Sequence, residues 1–281
     1  MQEETRTAWD KVAPGYDDFV TPTNIGLGSE VLRRVGLSAG MEMLDVASGS
    51  GAVSLSAARL GARVTSADIS PIMIERLETR AREENLDVDA RVMDGHDLDL
   101  ADDTFDMVVS EFGVMLFSDL PRGLREMARV TKPGGRVGVV AFGSPGKVDF
   151  FQFFIRAVRS AVPAFTGPPM DPPPLPFQVS DPAKLRQEMV NAGLKDVRVE
   201  ETTEERKFRS GEQFWNWIMN SNPIPGSILG QLNLDDEQIS MVRMTIDELV
   251  RERAAGSGTA VLTSPINIGI GMKTRTEASI H

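Results

Sequence analysis

The chain has 281 residues, 41% of them hydrophobic and 25% charged, which is ordinary for a globular protein able to bury a sizeable core. A formal net charge of −11 repels polyanions, so nucleic acid and anionic membrane faces are poor partners. Cysteine is absent, which removes disulfides, thiolate metal sites and cysteine nucleophiles, and no stretch approaches the ~20 apolar residues of a membrane span.

Residues 1–35 read as an amino-terminal helical cover. From residue 43 to 143, short apolar β runs alternate with longer helical segments, the pattern of a parallel sheet with crossover helices. Strands are expected at 42–47, 63–68, 90–93, 105–110 and 136–142. A first helix, 53–60, ends at Gly61. A second opens with Ser70 as N-cap and Pro71 at the first helical position, and continues through a charged run to Glu84. A third covers 120–130, followed by a Lys132-Pro133-Gly134-Gly135 turn. The composition then changes. A phenylalanine-rich helix around 150–154 leads into a proline-rich stretch, 163–176, that reads as a loop or lid. Ser180-Asp181-Pro182 starts a helix closed by Gly193, and 195–202 alternates like a strand. Two helices are expected over 210–255, the first bearing Trp215 and Trp217, before a last strand at 258–271 and a polar tail at 272–281. These divisions give a core at 36–143 and a second part, 144–271, that holds the remaining strands and a helical lid.

The chemistry concentrates after the first strand. Asp45-Val46-Ala47-Ser48-Gly49-Ser50-Gly51 is a small-residue turn that lets a ligand approach the backbone, and Asp68 ends the second strand, where a carboxylate can accept hydrogen bonds from ribose hydroxyls. Asp94-Gly95 follows the third strand. A nicotinamide-dependent oxidoreductase shares the glycine turn and the ribose acid, but its fingerprint starting at Gly49 wants glycine or alanine where Ser54 stands.

Taken with Trp9-Asp10-Lys11-Val12-Ala13-Pro14-Gly15-Tyr16-Asp17, Asp68-Ile69-Ser70, Phe105-Asp106 and Arg129-Val130-Thr131-Lys132-Pro133-Gly134-Gly135, these segments resemble the class I S-adenosylmethionine-dependent methyltransferases, in particular the ubiquinone/menaquinone C-methyltransferase-like group. The resemblance covers about residues 8–143. It implies an α/β fold with a doubly wound, mostly parallel seven-stranded sheet, Rossmann-like, carrying a helical lid insertion. It also implies S-adenosylmethionine as cofactor and S-adenosylhomocysteine as product. By position, Asp45 and the backbone of Ala47, Ser48, Gly49 and Gly51 hold the methionine half, Asp68 takes the ribose, Ile69 packs on adenine, and Asp94 with Gly95 meets the adenine edge. Ser110 and Glu111 lie near the amino group and the transferred methyl, and Tyr16 closes the cover. The class usually has glycine where Ala47 stands, and residues 16–28 lack the longer entry motif of true quinone C-methyltransferases.

No metal site is expected, and the candidate bases or orienting groups are Glu111, His96 and Tyr16. His96 competes with a role in the cofactor loop, and His281 belongs to the tail. The phenylalanines at 150–154 and the two tryptophans suit either core or acceptor pocket. The first reading of function is a cytoplasmic O- or C-methyltransferase for a small apolar or aromatic metabolite; homo-oligomerisation stays open. The alternatives are an NAD(P)-dependent oxidoreductase and a non-catalytic cofactor-binding partner subunit.

Overall fold

Short apolar runs ending at glycine turns become the strands of one sheet, and the structure, a computed structural model describing residues 2–274, orders them so that the glycine turn sits at its switch point. The strands are β1 (Glu42–Val46), β2 (Arg63–Asp68), β3 (Val88–Val92), β4 (Phe105–Glu111), β5 (Thr131–Phe142), β6 (Leu194–Phe208) and β7 (Ala260–Lys273). Their order is β3-β2-β1-β4-β5-β7-β6, parallel from β3 to β5, with β7 antiparallel to both β5 and β6. The Lys132–Gly135 segment expected as a free turn lies inside β5 as an irregularity: Thr131 pairs with Phe105, and Arg136 already pairs with Met107. Left-handed Gly134 absorbs the extra residues.

The flanking helices are capped as their sequences demand. In α4 (Pro71–Glu83), Ser70 Oγ accepts the Met73 N–H at 3.1 Å. In α5 (Leu120–Val130), Asp119 accepts the Arg122 N–H at 3.0 Å, and in α7 (Pro182–Asn191) Asp181 accepts the Ala183 N–H at 2.8 Å. The amino-terminal part consists of α1 (Gln2–Gly15), a wide turn at Tyr16–Val20 and α2 (Thr21–Val35). Only the first two act as cover. In α2, Val31, Leu32 and Val35 are fully buried in the main core, so the expected cover, 1–35, takes in a whole helix that packs in the sheet layer together with α3 (Ala52–Arg59).

The second part builds its own core. Beyond Pro265, β6 and β7 leave the sheet as a two-stranded ribbon, and α6 (Asp149–Ala161), α8 (Gly211–Ser221), α9 (Ile224–Leu232) and α10 (Asp236–Ala254) gather around it. Region 210–255 therefore holds three helices instead of two; Pro223 and Pro225 break the run and Asn233 turns left-handed after α9. Phe150, Phe153, Phe154 and Trp217 are buried in this second core. The strand runs on through Met272 and Lys273, which were expected in the tail; residues 275–281, including His281, lie outside the described residues.

An ion pair ties the ribbon to the start of α2. Arg206 on β6, 4% exposed, bonds Glu204 at 2.8 Å, donates to Thr23 Oγ1 at 2.6 Å and Asn24 Oδ1 at 2.9 Å, and lies 4.8 Å over the Trp217 ring. Burial pushes the Glu204 carboxyl up in spite of Arg206, so this pair is costly to break. We expect Arg206→Met to lower stability by about 3–5 kcal/mol in urea titration, and Glu204→Gln added to it to recover most of the loss. A single-variant change below about 1 kcal/mol would show that the pair is not holding the ribbon.

Candidate functional site

The carboxyl ends of β1, β2 and β4 open onto one cavity of ≈ 590 Å³. Three left-handed residues, Ala47 (φ 56°), Gly49 (φ 54°) and Gly51 (φ 98°), bend the chain from β1 into α3. The Ala47 backbone explains why glycine is usual there: an alanine in this region carries a steric cost of roughly 1 kcal/mol. The turn closes through Gly51 N–H to Ser48 O at 3.1 Å, and Gly49 N–H donates to Asp68 Oδ2 at 2.9 Å. Asp68 Oδ1 accepts the Ser70 N–H at 2.9 Å, so one carboxylate joins the ends of two strands.

Of the sequence-predicted residues, Tyr16, Ala47, Gly49, Asp68, Ile69, Asp94, Gly95, His96 and Glu111 line this cavity. Asp45, Ser48, Gly51 and Ser110 do not, and each has a structural task. Asp45 is 1% exposed and accepts the Ser54 hydroxyl at 2.6 Å. Ser48 N–H donates to Ala67 O at 3.1 Å, and Gly51 leaves room for Leu77, whose side chain stands 2.8 Å from where a Cβ would be. Ser110 Oγ donates to Val46 O at 2.8 Å and accepts the Val114 N–H at 2.9 Å, so its hydroxyl is engaged by backbone.

His96 lines the cavity with both ring nitrogens partnered. Its Nδ1 sits 2.7 Å from Asp94 Oδ1, its Nε2 receives the Asp119 N–H at 3.4 Å, and its ring lies 4.5 Å from Phe117. Both nitrogens are engaged in shaping the loop. The aromatics left open between core and pocket fall mainly in the core, and others face the cavity. Trp9, Phe112 and Phe117 line the cavity, whereas Phe150, Phe153, Phe154 and Trp217 do not. Their signal in the sequence was indirect: Gly95 and Gly123 need no unusual backbone angle, but a Cβ on either would stand 2.4 or 2.5 Å from the Phe117 ring. The lid adds Leu175 and the Asn222–Ile224 corner between α8 and α9.

Buried acids dominate the electrostatics. Burial pushes Asp45 up to about 7 and Asp68 up to about 6, although each accepts hydrogen bonds that pull the other way. Glu111 is pushed well above the usual carboxylate range by burial and by Asp45, and Tyr16 is raised by burial and then by Glu111. The arrangement fits an adenosyl ligand. Asp68 keeps free lone pairs toward the cavity for a ribose diol, and Ile69, Met73 and Met93 give an apolar slot for a purine beside Asp94 and Gly95. Backbone at Ala47 and Gly49 can meet the amino-acid end.

Sheet order and site together define a protein of the class I methyltransferase type. A methyltransferase-domain family model matches residues 44–139. An uncharacterized protein of Mycobacterium tuberculosis is 37% identical over 142 residues, half of this chain and 52% of that one, so the chain spans about half the length of the first curated relatives it matches. A demethylmenaquinone methyltransferase of Corynebacterium urealyticum is 35% identical over 57% of this chain and 69% of its own. The crystal structure of a putative methyltransferase from Bacillus halodurans superposes with a TM-score of 0.57 at 15% identity, covering 88% of this chain and 98% of that one, and shares the fold. The chain belongs to the class I S-adenosylmethionine-dependent methyltransferases, in the menaquinone-methyltransferase-like group.

The raised acids set a pH dependence. Asp45 and Asp68 have folded-state values above their unfolded value near 3.8, so the folded chain binds more protons between about pH 4 and pH 7 and stability falls as pH rises through that window. The decline is at most roughly 1.4 kcal/mol per pH unit for each group. We expect Asp45→Asn to flatten the fall of Tm between pH 4 and 7 and to raise Tm at pH 7; an unchanged slope would mean that Asp45 is not ionising against burial.

Proposed function

We propose that this protein transfers a methyl group from S-adenosylmethionine to an oxygen or carbon of a small apolar or aromatic metabolite. The observation that carries the proposal is one cavity that gathers Asp68 and Ile69 after β2, Gly49 of the glycine turn, Tyr16 of the cover, and Glu111 with Phe112 after β4. Bound S-adenosylmethionine supplies a methyl on a positively charged sulfur, so the chain's task is largely alignment and exclusion of water. Trp9, Phe112 and Leu175 offer apolar surface to an acceptor. The demethylmenaquinone methyltransferases among the relatives support a quinone-type acceptor class.

A hydroxyl or acidic carbon must lose a proton as it is methylated. His96 is engaged at both nitrogens and the Glu111 carboxyl is sealed behind the cavity wall, so neither touches the acceptor; the Tyr16 phenol, held protonated, acts as a hydrogen-bond donor that orients it, and the site suits an acceptor that enters already ionised. Ser54 speaks against the oxidoreductase alternative. Its hydroxyl donates to Asp45 and accepts from Ser66 at 2.8 Å, filling the place where a dinucleotide fingerprint wants glycine or alanine.

Calorimetric titration with S-adenosylmethionine, S-adenosylhomocysteine and NADH tests the cofactor. Micromolar binding of both adenosyl ligands is expected, with none for NADH and a loss of at least about tenfold in Asp68→Ala, which removes charged acceptors for the ribose. Transfer of labelled methyl to a panel of quinols and phenols then tests the acceptor. Binding of NADH alone overturns the proposal.

A further inference from the structure

Glu111 is the one polar side chain among the described residues whose buried oxygens have no partner. Both carboxyl oxygens are sealed from solvent without a hydrogen bond. Its stem forms part of the cavity wall, while its carboxyl tucks against α2 and the start of α3: Oε2 lies 3.0 Å from where a Gly28 Cβ would stand, and Val53 crowds the same point at 3.2 Å. Glycine at 28, inside a helix with ordinary backbone angles, is what leaves room for that carboxyl.

The charges around Glu111 deepen the problem. Asp45 from β1 and Glu204 from β6 repel an ionised Glu111, and Tyr16 and Asp68 add no positive charge. Arg206 attracts it, but its guanidinium is already bonded to Glu204, Thr23 and Asn24. A buried acid with acids on two sides and one committed cation is a site short of a positive charge.

Resting on the methyltransferase reading above, we infer that Glu111 reads the charge of the bound cofactor: the cation missing from the structure's own residues is brought by the ligand, and Glu111 ionises when it arrives. Two cations on S-adenosylmethionine have this chemistry, the sulfonium and the α-ammonium. Only the ammonium survives in S-adenosylhomocysteine. If the sulfonium is the partner, methyl transfer itself cancels the attraction and weakens the grip on the product. In a dry wall such coupling acts without direct contact, because Coulomb energy is little screened there.

The test is calorimetric titration of the full chain with S-adenosylmethionine and S-adenosylhomocysteine near pH 7, in two buffers of different ionisation enthalpy, for wild type and Glu111→Gln. The two buffers report the protons released on binding. Burial of Glu111 favours its neutral form in the ligand-free chain, so wild type is expected to release protons on binding S-adenosylmethionine, with contributions also from Asp45 and Asp68. Glu111→Gln should release fewer and bind S-adenosylmethionine about tenfold more weakly, the size of one pKa unit of coupling.

An unchanged affinity for S-adenosylhomocysteine assigns the sulfonium; equal weakening of both ligands assigns the ammonium. Unchanged affinity and unchanged proton release for both ligands overturn the inference. Should Glu111→Gln fold poorly, Gly28→Ala, which presses on the carboxyl from the helix side, gives the same readouts. If wild type binds neither adenosyl ligand, or Asp68→Ala changes nothing, the methyltransferase reading fails first and this inference falls with it.

Discussion

The hydrogen bond from the Gly49 amide to the Asp68 carboxylate is the contact on which the site depends. It joins the turn after β1 to the end of β2, and it needs both strands in parallel register, with Val46 beside Ala67. It also needs a left-handed Gly49, since a Cβ there would stand 3.2 Å from the Tyr16 ring. The same carboxylate holds Ser70, whose hydroxyl caps α4 and donates to Asp10 of α1 at 2.5 Å. One buried acid thereby links sheet, glycine turn, crossover helix and cover, so a change at Asp68 reaches the cover as well as a ligand.

The cavity exists because two cores meet without merging. The main core fills the sheet and its flanking helices, and the second fills the ribbon and its four helices; Phe142, partly buried, packs against both. Phe112 stacks on Phe142 at 4.5 Å, so the cavity's aromatic wall is supported from the seam between them. Tyr16 packs on the second core while lining the cavity, which couples the cover to the lid. The cover and the start of α2 that follows it are latched from both sides: Arg80 of α4 bonds Asp17, Ser50 of the glycine turn meets Thr21 at 2.6 Å, and Arg206 of the ribbon holds Thr23 and Asn24.

The sheet from β1 to β5 was legible because each strand there is bounded by turn chemistry and each helix by a cap, so local preference and final structure agree. Asp68 and Gly49 could be read for the same reason: strand end and glycine turn have fixed places in such a sheet. The rest was set by tertiary contacts that leave no local mark. The α2 segment reads as a cover, yet Val31, Leu32 and Val35 belong to the main core. Strand β6 is expected only over 195–202, yet it runs on to Phe208 through a charged second half in which Glu204 and Arg206 are buried against each other. Ser110 and His96 have the right residue types in the right loops, and only distances show that backbone and neighbouring side chains occupy their polar atoms.

Where sequence and structure conflict most, the conflict collects at the cavity. Ala47 is left-handed without being glycine, Asp45 and Asp68 are buried acids, and Glu111 is buried with no partner at all. Each costs the folded chain stability; the hydrogen bonds to Asp45 and Asp68 offset part of that cost, and Glu111 has none. A core built for stability alone would place apolar side chains at 45 and 111, where packing is already dense. Retaining acids there makes sense if a ligand completes the electrostatics, because binding to the folded state then returns the energy that burial withholds. Ligand binding and folding stability are thus coupled through the same few carboxyl groups, and the chain without its ligand is poised at a less favourable charge state than the complex.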